Sequence, residues 1–168
     1  MAERPIVKYG NPVLREISED VAEVDQEVKS LVSDMADTLK KAQGLGLSAV
    51  QIGVLKRIFI VDLSAVDIAE SLRVFINPEI VETGGQVEME EGCLSFPGLY
   101  QKIVRPEKIK IRATDLDGKQ FEMEIGGLAA RAILHEYDHL EGKLFIERLS
   151  PMARTLIRGR LKRLAKAS

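Results

Sequence analysis

Leu134-His135-Glu136-Tyr137-Asp138-His139-Leu140 sets two histidines four residues apart with an acid directly after the first. On a helix, side chains at i and i+4 stand one above the other, so His135 and His139 share a face and both imidazoles can reach one metal ion. Glu136 follows about 100° round the axis, near enough to hydrogen-bond a water on that ion. These are the only histidines in the chain, so the pattern does not come from a His-rich background.

The 168 residues suit one domain, 1–168, with a substantial core. Hydrophobic residues at 45% and charged residues at 30% are the balance of a soluble globular protein. No apolar run reaches the length of a membrane span. Met1-Ala2-Glu3-Arg4-Pro5 has neither an apolar nor an Arg/Ser-rich leader character, which predicts a cytoplasmic location. The net charge of −2 hides an asymmetry: Arg154, Arg158, Arg160, Lys162, Arg163 and Lys166 crowd a tail that has no acid. A basic tail on an acidic body suits either a polyanionic partner or a solvated terminal helix.

Along the chain, residues 4–20 read as an irregular arm with a turn at Asn11-Pro12. A helix is expected within 21–42, capped by Asp25 and stopped at Gly44, with Val28, Leu31, Val32, Met35 and Leu39 as its apolar stripe. Residues 57–63 and 74–80 read as strands, the second placed at an edge or a bend by Asn77-Pro78. Another strand is expected over 86–91. A hairpin is expected from 103–113 and 119–125, turning at Asp115 to Gly118. Gly126-Gly127 should open the histidine helix and Gly142 close it. Ser150-Pro151 should start one basic helix over about 151–166. Helices at both ends and one inserted among central strands give the class α+β, with antiparallel or mixed sheets around the central helix.

A catalytic metal usually has three protein ligands and an open position for water. The helix supplies two. Glu141 and Glu147 are possible third ligands but follow closely, and the single cysteine, Cys93 in Glu90-Glu91-Gly92-Cys93-Leu94-Ser95-Phe96-Pro97-Gly98, is the better candidate. Within Gly44-Leu45-Gly46-Leu47-Ser48-Ala49-Val50-Gln51, the Gln51 amide can donate to a developing oxyanion.

Gly-Leu-Gly-Leu-Ser-Ala-Val-Gln at 44–51, Glu-Gly-Cys-Leu-Ser at 91–95 and His-Glu-Tyr-Asp-His at 135–139, in that order, resemble the three signature motifs of peptide deformylase. The resemblance implies a mononuclear Fe2+ hydrolase, with Zn2+, Ni2+ or Co2+ able to substitute, that removes the formyl group from formylmethionine at the start of new polypeptides. It implies Cys93, His135 and His139 as ligands, Glu136 as general acid/base, and Gln51 with the Leu94 N–H as the oxyanion hole. Gly46 would pair with the extended substrate, and Leu45 and Met89 would line its pocket. Leu128 and Ala132, seven and three positions before His135, share the ligand face and can form a slot for methionine. The family also offers precedent for ribosome association through a basic terminal helix. A monomer acting on N-formylmethionyl nascent peptides is the expected working form.

Three positions depart from the family's common pattern. Ser48 stands where alanine is usual, and little effect is expected from so small a residue. Tyr100 lies where some relatives carry an arginine near the substrate entrance. Arg131, one turn before His135, is expected to snorkel to the pocket rim. Asp138 reads as a carboxylate outside the ligand set, paired with Arg105. The rival readings are a zinc endopeptidase, which lacks a downstream ligand and a use for Gln51, and an RNA-binding protein with a structural metal, which lacks a fourth His or Cys.

Overall fold

The computed structural model describes residues 2–65 and 71–167. Helix α1 spans Gln26–Ala42, and the Asp25 carboxylate caps it by accepting from the Val28 N–H at 3.0 Å. The helix closes on Gln43, in the left-handed conformation at φ 57°, rather than on Gly44. The glycine serves another need: a Cβ at Gly44 would lie 2.7 Å from Leu94 Cδ1. Its bareness lets two segments of the site approach.

Strands β1 (Gly46–Ser48), β2 (Ile58–Asp62), β3 (Leu72–Gly84), β4 (Val87–Cys93), β5 (Phe96–Arg105), β6 (Lys108–Thr114) and β7 (Gln120–Gly126) follow. They form a five-stranded sheet in the order β1-β2-β3-β6-β7 and a two-stranded sheet of β4 and β5, with every pairing antiparallel. Successive residues of β2 point to opposite faces. Phe59 and Val61 therefore join the core beneath helix α2 (Gly127–Leu140), while Ile58 and Ile60 join the core beneath α1 with Leu31, Met35 and Leu39. A third core of Phe96, Leu99, Ile103, Phe145 and Leu161 underlies the small sheet.

Asn77-Pro78 marks a bend, not an edge, because β3 pairs with β2 along its first half and β6 along its second. Asn77 sits at φ 49°, next to a register shift that removes the need for a ladder N–H from Pro78. Its side chain accepts from the Val21 N–H and donates to the Val21 carbonyl, both at 2.8 Å, which secures the bend to the arm.

The expected strand over 103–113 is in fact two strands in different sheets. Pro106 cannot donate to a ladder, so β5 ends at Arg105 and the chain crosses to begin β6 at Lys108. Ile103 thus packs in the third core, apart from Ile109 and Ile111 in the first. The expected single terminal helix is also divided, into α3 (Pro151–Leu156) and α4 (Arg158–Ala167). The turn at Ile157 lets Ile157 and Leu161 both reach the third core, and leaves Met152 and Leu156 exposed. Ser150 caps α3 as expected, accepting from the Ala153 N–H at 3.2 Å. No helix among the described residues is long and apolar enough to cross a membrane.

Candidate metal centre and substrate cleft

Helix α2 is buried along nearly its whole length, with His135, Glu136, Asp138 and His139 all less than a tenth exposed. The β4–β5 hairpin brings Cys93 against it. Cys93 Sγ lies 3.4 Å from His139 Nε2, and the three candidate ligand atoms of Cys93, His135 and His139 lie within 4.8 Å of one another. A thiolate and two imidazoles at that spacing suit one small divalent ion.

The surrounding groups orient these donors. His135 Nδ1–H donates to Glu91 Oε2 at 2.7 Å, which leaves Nε2 as the nitrogen that a metal ion would take in exchange for a proton. Burial opposes charge on His135, but Cys93 and Glu91 outweigh it and hold the imidazole well above its ordinary value. The pocket therefore attracts positive charge. Burial, joined by the charge of His135, lowers His139 to about 3 and keeps it neutral, as a ligand must be.

Gln51 reaches the same point from the short 3-10 turn Ala49–Ile52. Its carbonyl oxygen accepts from Ser48 N at 3.0 Å and Ser48 Oγ at 3.2 Å. That leaves Nε2 turned toward Ser95 Oγ at 3.1 Å and Cys93 Sγ at 3.6 Å. The amide is thus aimed at the ligand cluster. Glu136 is fully buried, and burial pushes its carboxyl up to about 7. A Cβ at Gly46 would come within 2.9 Å of Glu136 Oε2, so the glycine is what admits the carboxylate beneath β1.

A cleft of about 570 Å³ opens over this cluster. Leu45, Gly46, Leu94, Leu128 and Ala132 line it beside Cys93, His135 and Glu136. Met89 is not among the lining residues and stands 36% exposed on β4. Tyr100 is at the mouth, where its ring lies over Gly92, and a Cβ there would meet Tyr100 Cε1 at 2.5 Å.

Arg131 does not snorkel. It is 2% exposed, because the buried Glu91 carboxylate and a strand carbonyl draw its guanidinium inward: Nη1 donates to Glu91 Oε1 at 2.9 Å and Nη2 to Val87 O at 2.8 Å. Asp138 does pair with Arg105, at 2.9 Å, and also takes two bonds from Arg148 at 2.6 and 2.7 Å. Ser48 does more than fill space: it is fully buried and holds the Gln51 amide in place. Glu91 and Ser95 stand inside the cysteine motif, but the sequence reading gives neither a role. Alternation along β4 could have found Glu91, since it lies two residues before Cys93 on the same face.

The model of the polypeptide deformylase family matches residues 3–155. This chain belongs to the polypeptide deformylase family. A peptide deformylase of Acidobacterium capsulatum is 46% identical over 164 residues, covering 98% of this chain and 96% of that protein. Among solved structures, a peptide deformylase from Legionella pneumophila superposes with a TM-score of 0.90 at 41% identity, covering 99% of this chain and 97% of the other. A Plasmodium falciparum peptide deformylase in complex with an inhibitor gives 0.87 at 37% identity, covering 96% and 99%. The family is one of metal-dependent enzymes, and the Cys93–His135–His139 cluster fits that requirement. The deformylase fold, α+β with antiparallel sheets, is the one observed.

Proposed function

We propose that this deformylase hydrolyses the N-formyl group of N-terminal formylmethionine on newly made polypeptides, releasing formate. The observation that carries the reading is that Cys93, His135 and Glu136 line one cleft, with His139 and the Gln51 amide against the Cys93 sulfur behind them. Cys93, His135 and His139 would hold one divalent ion, Fe2+ in the cell, with Zn2+, Ni2+ or Co2+ able to replace it. When bound, the ion supplies Lewis acidity and a water of lowered pKa.

The residues of the chain do the rest. Glu136 takes a proton from the attacking water and returns it to the departing amine, so that water and formamide become formate and a free N-terminus. A carboxyl near 7 suits both halves of that exchange. The Gln51 Nε2–H and the Leu94 N–H face the oxygen on which negative charge develops. The backbone of Gly46 pairs with the extended peptide, and Leu45, Leu128 and Ala132 form the methionine slot.

Anaerobic turnover of formyl-Met-Ala-Ser, set against the unformylated and acetylated peptides, tests the reading. Formate release from the formyl peptide alone is expected. Cleavage of an internal peptide bond without deformylation would assign the site to a peptidase instead.

The enzyme is proposed to act as a cytoplasmic monomer. Its cationic segment, α3 and α4 with Arg154, Arg158, Arg160, Lys162, Arg163 and Lys166, is proposed to contact ribosomal RNA where substrates emerge. Binding to ribosomes should weaken steeply between 50 and 200 mM salt, on the order of 10³-fold or more for six phosphate contacts. A flat salt response would remove the contact.

A further inference from the structure

Arg131, His135 and His139 stand at i, i+4 and i+8 on one face of α2. The first two grip the same carboxylate from opposite sides. Arg131 Nη1 donates to Glu91 Oε1 at 2.9 Å, and His135 Nδ1 to Glu91 Oε2 at 2.7 Å. The other guanidinium terminus of Arg131 donates to the Val87 carbonyl at 2.8 Å, at the start of the strand that ends in Cys93. Arg105 approaches Glu91 from β5 and donates to both oxygens at 2.7 Å. Glu91 is thus held from β5 by Arg105 and from α2 by Arg131.

We infer that Arg131 is a positioning residue for the metal centre: it docks the strand bearing Cys93 onto the helix bearing both histidines, and through Glu91 it fixes the orientation of His135. Arg131 is also among the residues lining the cleft, and two features of the geometry give it a role beyond that of a pocket wall. Both terminal nitrogens are committed to β4, one to a side chain and one to the backbone. The residue is also buried, so its charge is not offered to a passing substrate. Arg105 cannot replace it, because Arg105 belongs to the same hairpin as Glu91 and binds α2 only through Asp138. Without Arg131, His135 itself becomes the one remaining α2 group on Glu91.

The inference rests on the metal site proposed above, and the experiment keeps the two apart. Co2+ is first titrated into metal-free wild-type protein, with the thiolate-to-cobalt charge-transfer band as the signature of Cys93 ligation. Loss of that band in Cys93→Ser is the expected result for the metal site itself and does not depend on Arg131. A band that persists in Cys93→Ser would overturn the ligand assignment instead. Arg131→Met, which keeps the aliphatic stem, and Arg131→Lys, which keeps one donor, are then compared by chelator competition for Zn2+ and Co2+. Loss of a group supporting a ligand typically costs about 10- to 100-fold in metal affinity. Arg131→Met should fall in that range with a shifted cobalt spectrum, and Arg131→Lys should recover part of the loss. In the zinc-loaded enzymes kcat should fall while KM for formyl-Met-Ala-Ser changes little.

Arg131→Met is also made in a Glu91→Gln background. If Arg131 acts through Glu91, the second substitution should add far less to the loss of metal affinity than it does alone. Full additivity would overturn the route through Glu91. Unchanged metal affinity in Arg131→Met, with KM altered across peptides that differ in their first side chain, would make Arg131 a wall of the slot and overturn the inference. A lowered melting temperature with unchanged metal affinity and an unchanged cobalt spectrum would leave only a structural role and overturn it equally.

Discussion

Glu136→Gln is expected to retain its metal and to lose about 100- to 10,000-fold in turnover, the usual worth of a positioned general acid/base. The substitution preserves volume, which matters because Gly46 leaves room for this side chain and little more. Glu136 is not one of the three clustered donors, so metal content per chain should match the wild type. An amide can hydrogen-bond a water but cannot accept its proton and later release it. The change should therefore fall on kcat, with KM for the formyl peptide little altered. Full turnover in a metal-replete Glu136→Gln sample would move the proton transfer to another group.

Arg105→Met is expected to be the most destabilising single change at the site. Arg105 is 2% exposed and donates to Glu91 twice and to Asp138 once, tying two buried acids together across the seam between the small sheet and α2. Burial alone would raise both acids, but their arginine partners, joined at Glu91 by His135, overcome it and hold them below the usual carboxylate range. Removing one partner of a buried ion pair costs about 3–5 kcal/mol, because the remaining charge loses its compensation. Arg131 and Arg148 still serve the two acids, which favours the lower part of that range. For a chain of this size the melting temperature should drop by on the order of 10 °C. Urea titration with an unchanged slope would show that the loss lies in the folded state. A melting temperature within a degree or two of wild type would mean that the charge network contributes little.

The cluster of Cys93, His135 and His139 was legible in the residues because its chemistry is local or scarce. His135 and His139 are spaced by the helix itself, and Cys93 is the only thiol in the chain. Helix α1 was legible for a similar reason, since its cap and apolar stripe repeat within one element. The strand over 103–113 was misread because Ile103, Ile109 and Ile111 fall in the same phase on either side of Pro106, and alternation cannot say which sheet a strand joins. Arg131 was misread because a charged residue at a rim is the ordinary case, and its true partners, Glu91 and Val87, lie 40 and 44 residues away. The arm was also underestimated. Val7 N–H donates to the Gln51 carbonyl at 2.7 Å and Tyr9 N–H to the Ser95 carbonyl at 2.8 Å, so the irregular start of the chain straps two site segments together. Backbone pairing of that kind leaves no trace in side-chain pattern.

The candidate metal ligands are divided between two bodies, with Cys93 on the two-stranded sheet and the histidines on α2. A lone pair of strands is marginal by itself and owes its order to what it rests on. On the function proposed here, the complete ligand set exists only while the hairpin is docked, so occupancy and docking are one equilibrium. Each tenfold excess of free ion over its dissociation constant then adds about 1.4 kcal/mol to the assembled form. Metal supply in the cell would thereby govern how long a copy of the enzyme survives as well as how fast it works. Under scarcity the docked state loses that support, and the hairpin becomes the stretch of backbone most readily offered to a protease.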